Sequence, residues 1–186
     1  GNYYSGLYVN SRGAISANNI SANNNGQGAA CGAQCHGAYL QNNFALSTGG
    51  ITLSGTNAFN SNTRGSGLFA YSNGVISFNC ITASGNGAAA TPGYGAYINN
   101  TFNSSAADVL ISGANTFNNN YLSGLYVVTN GAVDGSTSTS ITAGNGAGSG
   151  NGGYGAYFDN SGSLVNAGID LAGDNTFNYN YLSGLK

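Results

Sequence analysis

The chain has 186 residues and a formal net charge of −2, and only 4% of its residues are charged, where about 25% is usual for a soluble domain. Its cations are Arg12, Arg64 and Lys186; they are too few and too scattered for the basic cluster that phosphate binding needs, so nucleic acid is excluded as a partner. No apolar run approaches the roughly 18 residues of a membrane helix, so no membrane insertion is expected.

In chain order, the first element is a short strand around Leu7 and Val9, opened by Ser5-Gly6. A corner follows at Asn18-Asn19-Ile20, then an insertion holding Cys31, Cys35 and His36. Gly37-Ala38-Tyr39 opens the next strand, and Ile51 and Leu53 mark another before the corner at Asn57-Ala58-Phe59. The same order then returns: Gly67-Leu68-Phe69, Ile76 and Phe78, Asn79, then Gly95-Ala96-Tyr97, Val109 and Ile111, Asn115. It returns again from Gly124-Leu125-Tyr126 through Gly155-Ala156-Tyr157 and Ile169 and Leu171 to Asn175. Apolar residues alternate with period two, the signature of strands. The 32 glycines argue against helix, because each would cost about 1 kcal/mol there relative to Ala. Asn-Gly pairs at 25–26, 73–74, 86–87, 130–131 and 145–146 supply the turns.

The repetition is the strongest feature. Gly-[Leu/Ala]-[Tyr/Phe] recurs six times, at Gly6, Gly37, Gly67, Gly95, Gly124 and Gly155, at spacings of 28 to 31 residues. Asn-x-Phe-Asn-x-Asn recurs at 57, 115 and 175, and Ser-Gly-Leu at 5, 66, 123 and 183. Consecutive elements therefore pair into repeats of about 60 residues, approximately 6–66, 67–123 and 124–183. The distance from the Gly to the following Asn is 12 residues at Gly6 and Gly67, and 20 at Gly37, Gly95 and Gly155. A minimal coil is thus lengthened by an insertion at alternating corners. Short strands at near-fixed spacing cannot bury an apolar face singly, so they stack. The expected fold is all-β: a β-solenoid of about six coils forming a single unit over residues 1–186.

These motifs resemble the repeat of right-handed parallel β-helix proteins of the pectin-lyase-like class. Within that class they are most similar to the Asn/Gly-rich, low-charge repeats of bacterial surface and adhesin-type proteins. The resemblance implies right-handed coils and a surface location. Enzymes and adhesins share the fold, so it does not choose between them.

No catalytic residues are expected. The polysaccharide-processing members of the class use clustered carboxylates with Lys or Arg, and a glycosidase needs two carboxylates facing one bond. The acids here are Asp108, Asp134, Asp159, Asp170 and Asp174. Asp170 alternates with Ile169 and Leu171 and so faces solvent, and Asp174 occupies a turn. Cys31-Gly-Ala-Gln-Cys35-His36 reads first as a local disulfide between Cys31 and Cys35, which suits an oxidising exterior. A metal site there lacks a fourth ligand, and the spacing is one residue too long for haem attachment. No cofactor and no metal are expected.

Stacking places Asn18, Asn57, Asn79, Asn115 and Asn175 in one expected structural ladder at a corner. It also places Tyr8, Tyr39, Phe69, Tyr97, Tyr126 and Tyr157 at one equivalent position. If the aliphatic neighbours face inward, these rings form an outer stripe that can take sugar rings or a neighbouring rod. Phe59, Phe117 and Phe177 are expected inside. Asn2–Leu7 and Asn180–Leu185 are the same piece of repeat, which points to a segment of a longer array or to end-to-end stacking. The expected function is a non-enzymatic extracellular rod (a fibre, stalk or adhesin shaft) that self-associates. The alternative is a carbohydrate-binding or polysaccharide-processing β-helix using the aromatic ladder, with surface polysaccharide as partner.

Overall fold

A computed structural model describes residues 1–28, 35–102, 106–144, 153–163 and 166–186. It is all-β, with no helix among the described residues. Two parallel sheets carry the chain. The first has six strands: Leu7–Asn10, Ala38–Asn42, Leu68–Ser72, Ala96–Asn99, Leu125–Val128 and Ala156–Asp159, stacked in chain order. The second has eight, built on Ile15–Asn18, Ile51–Ser54, Ile76–Asn79, Val109–Thr116, Val133–Thr142 and Ile169–Leu171. The short strands Asn57–Ala58 and Ile81–Thr82 extend it around a corner. The chain visits the two sheets alternately, and each strand pairs with its counterparts half a repeat before and after, an arrangement compatible with a β-solenoid.

The core lies between the sheets and repeats with complementary volumes. On the first sheet the inner pairs are Ala38 with Leu40, Leu68 with Ala70, Ala96 with Ile98, Leu125 with Val127, and Ala156 with Phe158. Around the second sheet's corner, Ala22, Phe59, Ala83, Phe117, Ala143 and Phe177 alternate by size. The residues two positions earlier alternate in the opposite sense: Ile20, Asn57, Ile81, Asn115, Ile141 and Asn175. A rung with Phe carries Asn, and a rung with Ala carries Ile. Dense packing requires this compensation, and it explains why the sequence repeats every two strands of a sheet rather than every one.

The alternating corners have distinct chemistry. After the first sheet, short connections use a Ser/Thr-x-Gly turn. Ser11 Oγ, Ser72 Oγ and Thr129 Oγ1 accept the N–H of Gly13, Gly74 and Gly131 at 3.1, 3.0 and 3.0 Å. Long connections place Asn at the same position. Asn42 Nδ2 donates to the carbonyls of Gly49 and Gly50 at 2.7 and 3.0 Å, and Asn100 Nδ2 to those of Ala107 and Asp108 at 2.6 and 3.2 Å. Asn160 Nδ2 does the same to the Ala167 carbonyl at 2.8 Å. One buried amide therefore closes a loop too long for a hydroxyl turn. Asn42 Oδ1 and Asn100 Oδ1 are buried without a hydrogen-bond partner among the described residues. Turning the amide to satisfy the carbonyls leaves its oxygen facing the interior.

Candidate interaction surfaces

Register builds the aromatic column. Tyr8 pairs with Tyr39, Tyr39 with Phe69, Phe69 with Tyr97, Tyr97 with Tyr126, and Tyr126 with Tyr157. Parallel strands about 4.8 Å apart bring such rings into offset stacking. Successive centroids lie 5.1, 5.6, 4.7, 5.4 and 4.5 Å apart, with interplanar angles of 5° to 10°. The stack is unbroken across the six strands, and its side chains point away from the core. Tyr8 is exposed and the other five are half-buried.

Flanking rings widen the column into a shelf. Tyr71 meets Phe69 edge-on at 4.8 Å and Phe102 at 5.0 Å. Across the stack, the His36 ring lies 4.6 Å from Phe69, and Tyr94 sits 5.2 Å from both Tyr97 and Tyr126. Burial among these rings pushes the phenols of Tyr71 and Tyr126 up to about 12, with neighbouring tyrosines adding to the rise. These two phenols therefore stay neutral well into alkaline conditions. Sequence reasoning found the central column because its Gly-x-aromatic motif repeats. Tyr71 and Phe102 follow no common motif and so escape sequence reasoning, whereas His36, Tyr94 and Tyr154 each directly precede a Gly-Ala-Tyr, a signal that could have found them.

The expected asparagine ladder divides into separate columns. Asn57, Asn115 and Asn175 form one set on alternate rungs, with Oδ1 accepting the backbone N–H of Ile20, Ile81 and Ile141 at 3.1, 2.9 and 2.9 Å. Asn18 and Asn79 do not join them. Asn18 pairs with Ser54 and Asn79 with Ser112. They end strands before the corner, and the short rungs meet the Asn57 column with Ile20 and Ile81, two residues further on. At the corner itself the long rungs carry one extra residue, with Gly55 and Gly113 at φ of 68° and 66°, where Asn19 and Cys80 turn the short rungs alone at φ 53° and 47°.

A stronger ladder lies at the next corner, joining the Asn of the Asn25-Gly26 and Asn86-Gly87 turns to the last Asn of two Asn-x-Phe-Asn-x-Asn motifs. Asn25, Asn62, Asn86 and Asn120 are all buried. In each step the upper residue's Oδ1 accepts both the backbone N–H and the Nδ2 of the one below, at 2.9 and 3.0 Å from Asn25 to Asn62. The corresponding distances are 3.0 and 3.0 Å from Asn62 to Asn86, and 3.0 and 2.9 Å from Asn86 to Asn120. Sealed from water, these amides satisfy one another along the stack.

Cys35 is disulfide-bonded and Cys80 is a free thiol; Cys31 lies outside the described residues. His36 Nδ1 accepts the Ser66 N–H at 3.0 Å, so the imidazole is part of a corner column. Among the described residues, no group of three His, Cys, Asp or Glu could hold a metal ion.

Of the acids, Asp134 and Asp170 are directly opposed on adjacent strands of the second sheet, a juxtaposition not foreseen from their separation in sequence. Both face solvent. Ser136 holds the Asp134 carboxyl below the usual range through side-chain and backbone hydrogen bonds. General-acid chemistry needs a carboxyl pushed the other way, by burial. Asp108 accepts the Ala132 N–H at 2.8 Å, and Asp159 accepts from Ser161; both stabilise turns.

Comparison with family models, curated proteins and solved structures gave no match.

Proposed function

We propose that the chain is a non-enzymatic extracellular structural protein: a right-handed β-solenoid rod of about six coils, of the pectin-lyase-like type found in bacterial surface proteins. It builds a fibre, stalk or adhesin shaft by self-association. The observation that carries this reading is the aromatic shelf, a continuous, uncharged stack running the length of the six-stranded sheet. A large exposed apolar patch normally marks an interaction surface. With 4% charged residues, little repulsion opposes contact between copies. The disulfide at Cys35 supports an oxidising location. The opposed Asp134 and Asp170, exposed and with Asp134 favoured as the anion, favour a structural over a catalytic role.

The test is sedimentation velocity with negative-stain imaging. The native chain is expected to assemble as concentration rises, and the double variant Tyr97→Asp, Tyr126→Asp to stay monomeric with its strand signal intact. Native chain that stays monomeric at every concentration would sink the proposal. A second reading, polysaccharide binding on the same shelf, is favoured by the Tyr hydroxyls at its rim, where Tyr39 donates to Gln41 and Tyr97 accepts from Asn99. Co-sedimentation with insoluble polysaccharides separates it from self-association. Turnover of any polysaccharide would overturn the non-enzymatic assignment.

A further inference from the structure

The outer face beyond the second sheet's corner carries a polar column with one missing rung. Thr82, Thr116, Thr142 and Thr176 align on it. Two residues further along the chain lie Asn23, Asn60, Ser84, Asn118, Gly144 and Asn178. Each side-chain oxygen of that second column accepts the backbone N–H of the next rung. Asn23 Oδ1 takes Asn60 N–H at 2.6 Å, Asn60 Oδ1 takes Ser84 N–H at 2.8 Å, Ser84 Oγ takes Asn118 N–H at 3.1 Å, and Asn118 Oδ1 takes Gly144 N–H at 2.7 Å. At Gly144 the series stops. Glycine has no side chain, and the Asn178 N–H has no acceptor among the described residues.

A cavity of about 430 Å³ opens at this gap, bounded by Asn118, Thr142, Gly144, Thr176, Asn178 and Tyr179. That is far more than a single water needs and within the range of small-ligand sites. Tyr179 has φ 56°, in line with Asn24, Ser61, Gly85 and Asn119, which take φ of 56°, 58°, 69° and 56°. The left-handed conformation suits Gly and Asn and is costly for a bulky aromatic residue. Strain of this kind concentrates at functional positions. Here it places the exposed Tyr179 at the cavity wall.

The vacancy has a definite chemistry. An Asn side chain is an acetamide group, and the missing rung is an amide oxygen presented to the Asn178 N–H. We propose that this cavity binds an N-acetylated amino sugar. The acetamido oxygen accepts the Asn178 N–H, the apolar face of the pyranose lies on Tyr179, and the sugar hydroxyls meet Thr142 Oγ1, Thr176 Oγ1 and Asn118 Nδ2. The site is separate from the aromatic shelf and does not depend on self-association.

Calorimetric titration of the full chain with N,N′-diacetylchitobiose and with cellobiose tests it, since the two share a linkage and differ in acetamido against hydroxyl. Binding of the diacetylated sugar is expected to be at least tenfold tighter. Gly144→Asn restores the rung with the protein's own amide. A Cβ there meets the Asn178 carbonyl at 3.0 Å and Asn118 Oδ1 at 3.5 Å, a close but feasible fit, and the sister positions Asn60 and Asn118 already carry this side chain. It should weaken binding at least tenfold with circular dichroism unchanged. Tyr179→Ala, at an exposed position, should do the same and decides the matter if Gly144→Asn misfolds. Equal affinity for the two sugars, no binding of either, or native affinity in the variants overturns the proposal. So does binding that survives both and is lost in the Tyr97→Asp, Tyr126→Asp chain, because the sugar would then sit on the shelf.

Discussion

The aromatic shelf on the six-stranded sheet and the threonine–asparagine face beyond the second sheet's corner are built by one rule and present opposite chemistry. In both, strands in parallel register place equivalent side chains directly above one another. On the shelf every rung carries a ring, so the stack is continuous and apolar. On the other face the side-chain oxygens of Asn23, Asn60, Ser84 and Asn118 each receive the next N–H, and a cavity opens where the series stops at Gly144. A repeated residue makes a stripe, and a single departure from the repeat makes a site. Under the proposed self-association, the uniform face is the one that takes an extended partner. The interrupted face suits a small ligand at one place.

Both faces stand on the same buried corners, so the largest effect is expected there. Asn86→Ala removes the Oδ1 that receives two hydrogens from Asn62 and the Nδ2 that reaches Asn120. Each orphaned buried group costs about 1–3 kcal/mol, so chemical denaturation should show a loss of about 3 kcal/mol or more. A loss under about 1 kcal/mol would mean that water replaces the ladder and that the corner is not sealed. Next comes Asn100→Ala, which leaves the Ala107 and Asp108 carbonyls without their clamp. We expect about 1–3 kcal/mol by the same measurement, with proteolysis confined to the 100–108 connection.

Asn60→Ala on the outer polar face breaks a hydrogen bond of similar length. It should cost no more than about 1 kcal/mol, because water reaches the freed N–H. A cost equal to that of Asn86→Ala would erase the distinction between inner and outer ladders.

Alkaline titration of the shelf should act gently, because its rings are only partly buried. The phenols of Tyr71 and Tyr126 titrate near 12 when folded, against about 10 in the unfolded chain. The unfolded state therefore loses its protons first. Stability contributed by the neutral phenols is fully present below about pH 10 and is lost as pH rises towards about 12. Denaturant midpoints across that window should fall in the native chain. They should fall less in Tyr71→Phe, Tyr126→Phe. An equal fall in both would show that these two phenols carry none of the effect.

Several of these features could be read from residue order. The shelf was legible because Gly-x-aromatic recurs at nearly constant spacing, and alternation with Leu, Ala or Val fixes which way the ring points. Phe59 and Phe117 were legible as core for the same reason. The clamps at Asn42, Asn100 and Asn160 were also within reach, since each falls three residues after a column Tyr where the short rungs have Ser11, Ser72 or Thr129. The ladder of Asn25, Asn62, Asn86 and Asn120 was not. Its members are separated by 37, 24 and 34 residues, because insertions of different length lie between them. Nor could motif spacing show that Asn18 and Asn79 miss the Asn57 column, since they end strands two residues before Ile20 and Ile81, which take that column on the short rungs.

The sequence by itself determined the strand period, the double repeat and the residues that face outward as rings, because these depend on local alternation and on glycine placement. Tertiary structure alone decided which side chains stand above one another: the asparagine ladders, the opposed Asp134 and Asp170, and the cavity at Gly144. Those relations depend on register between strands 24 to 37 residues apart. In a parallel stack, one inserted residue moves an entire side chain from one column to another.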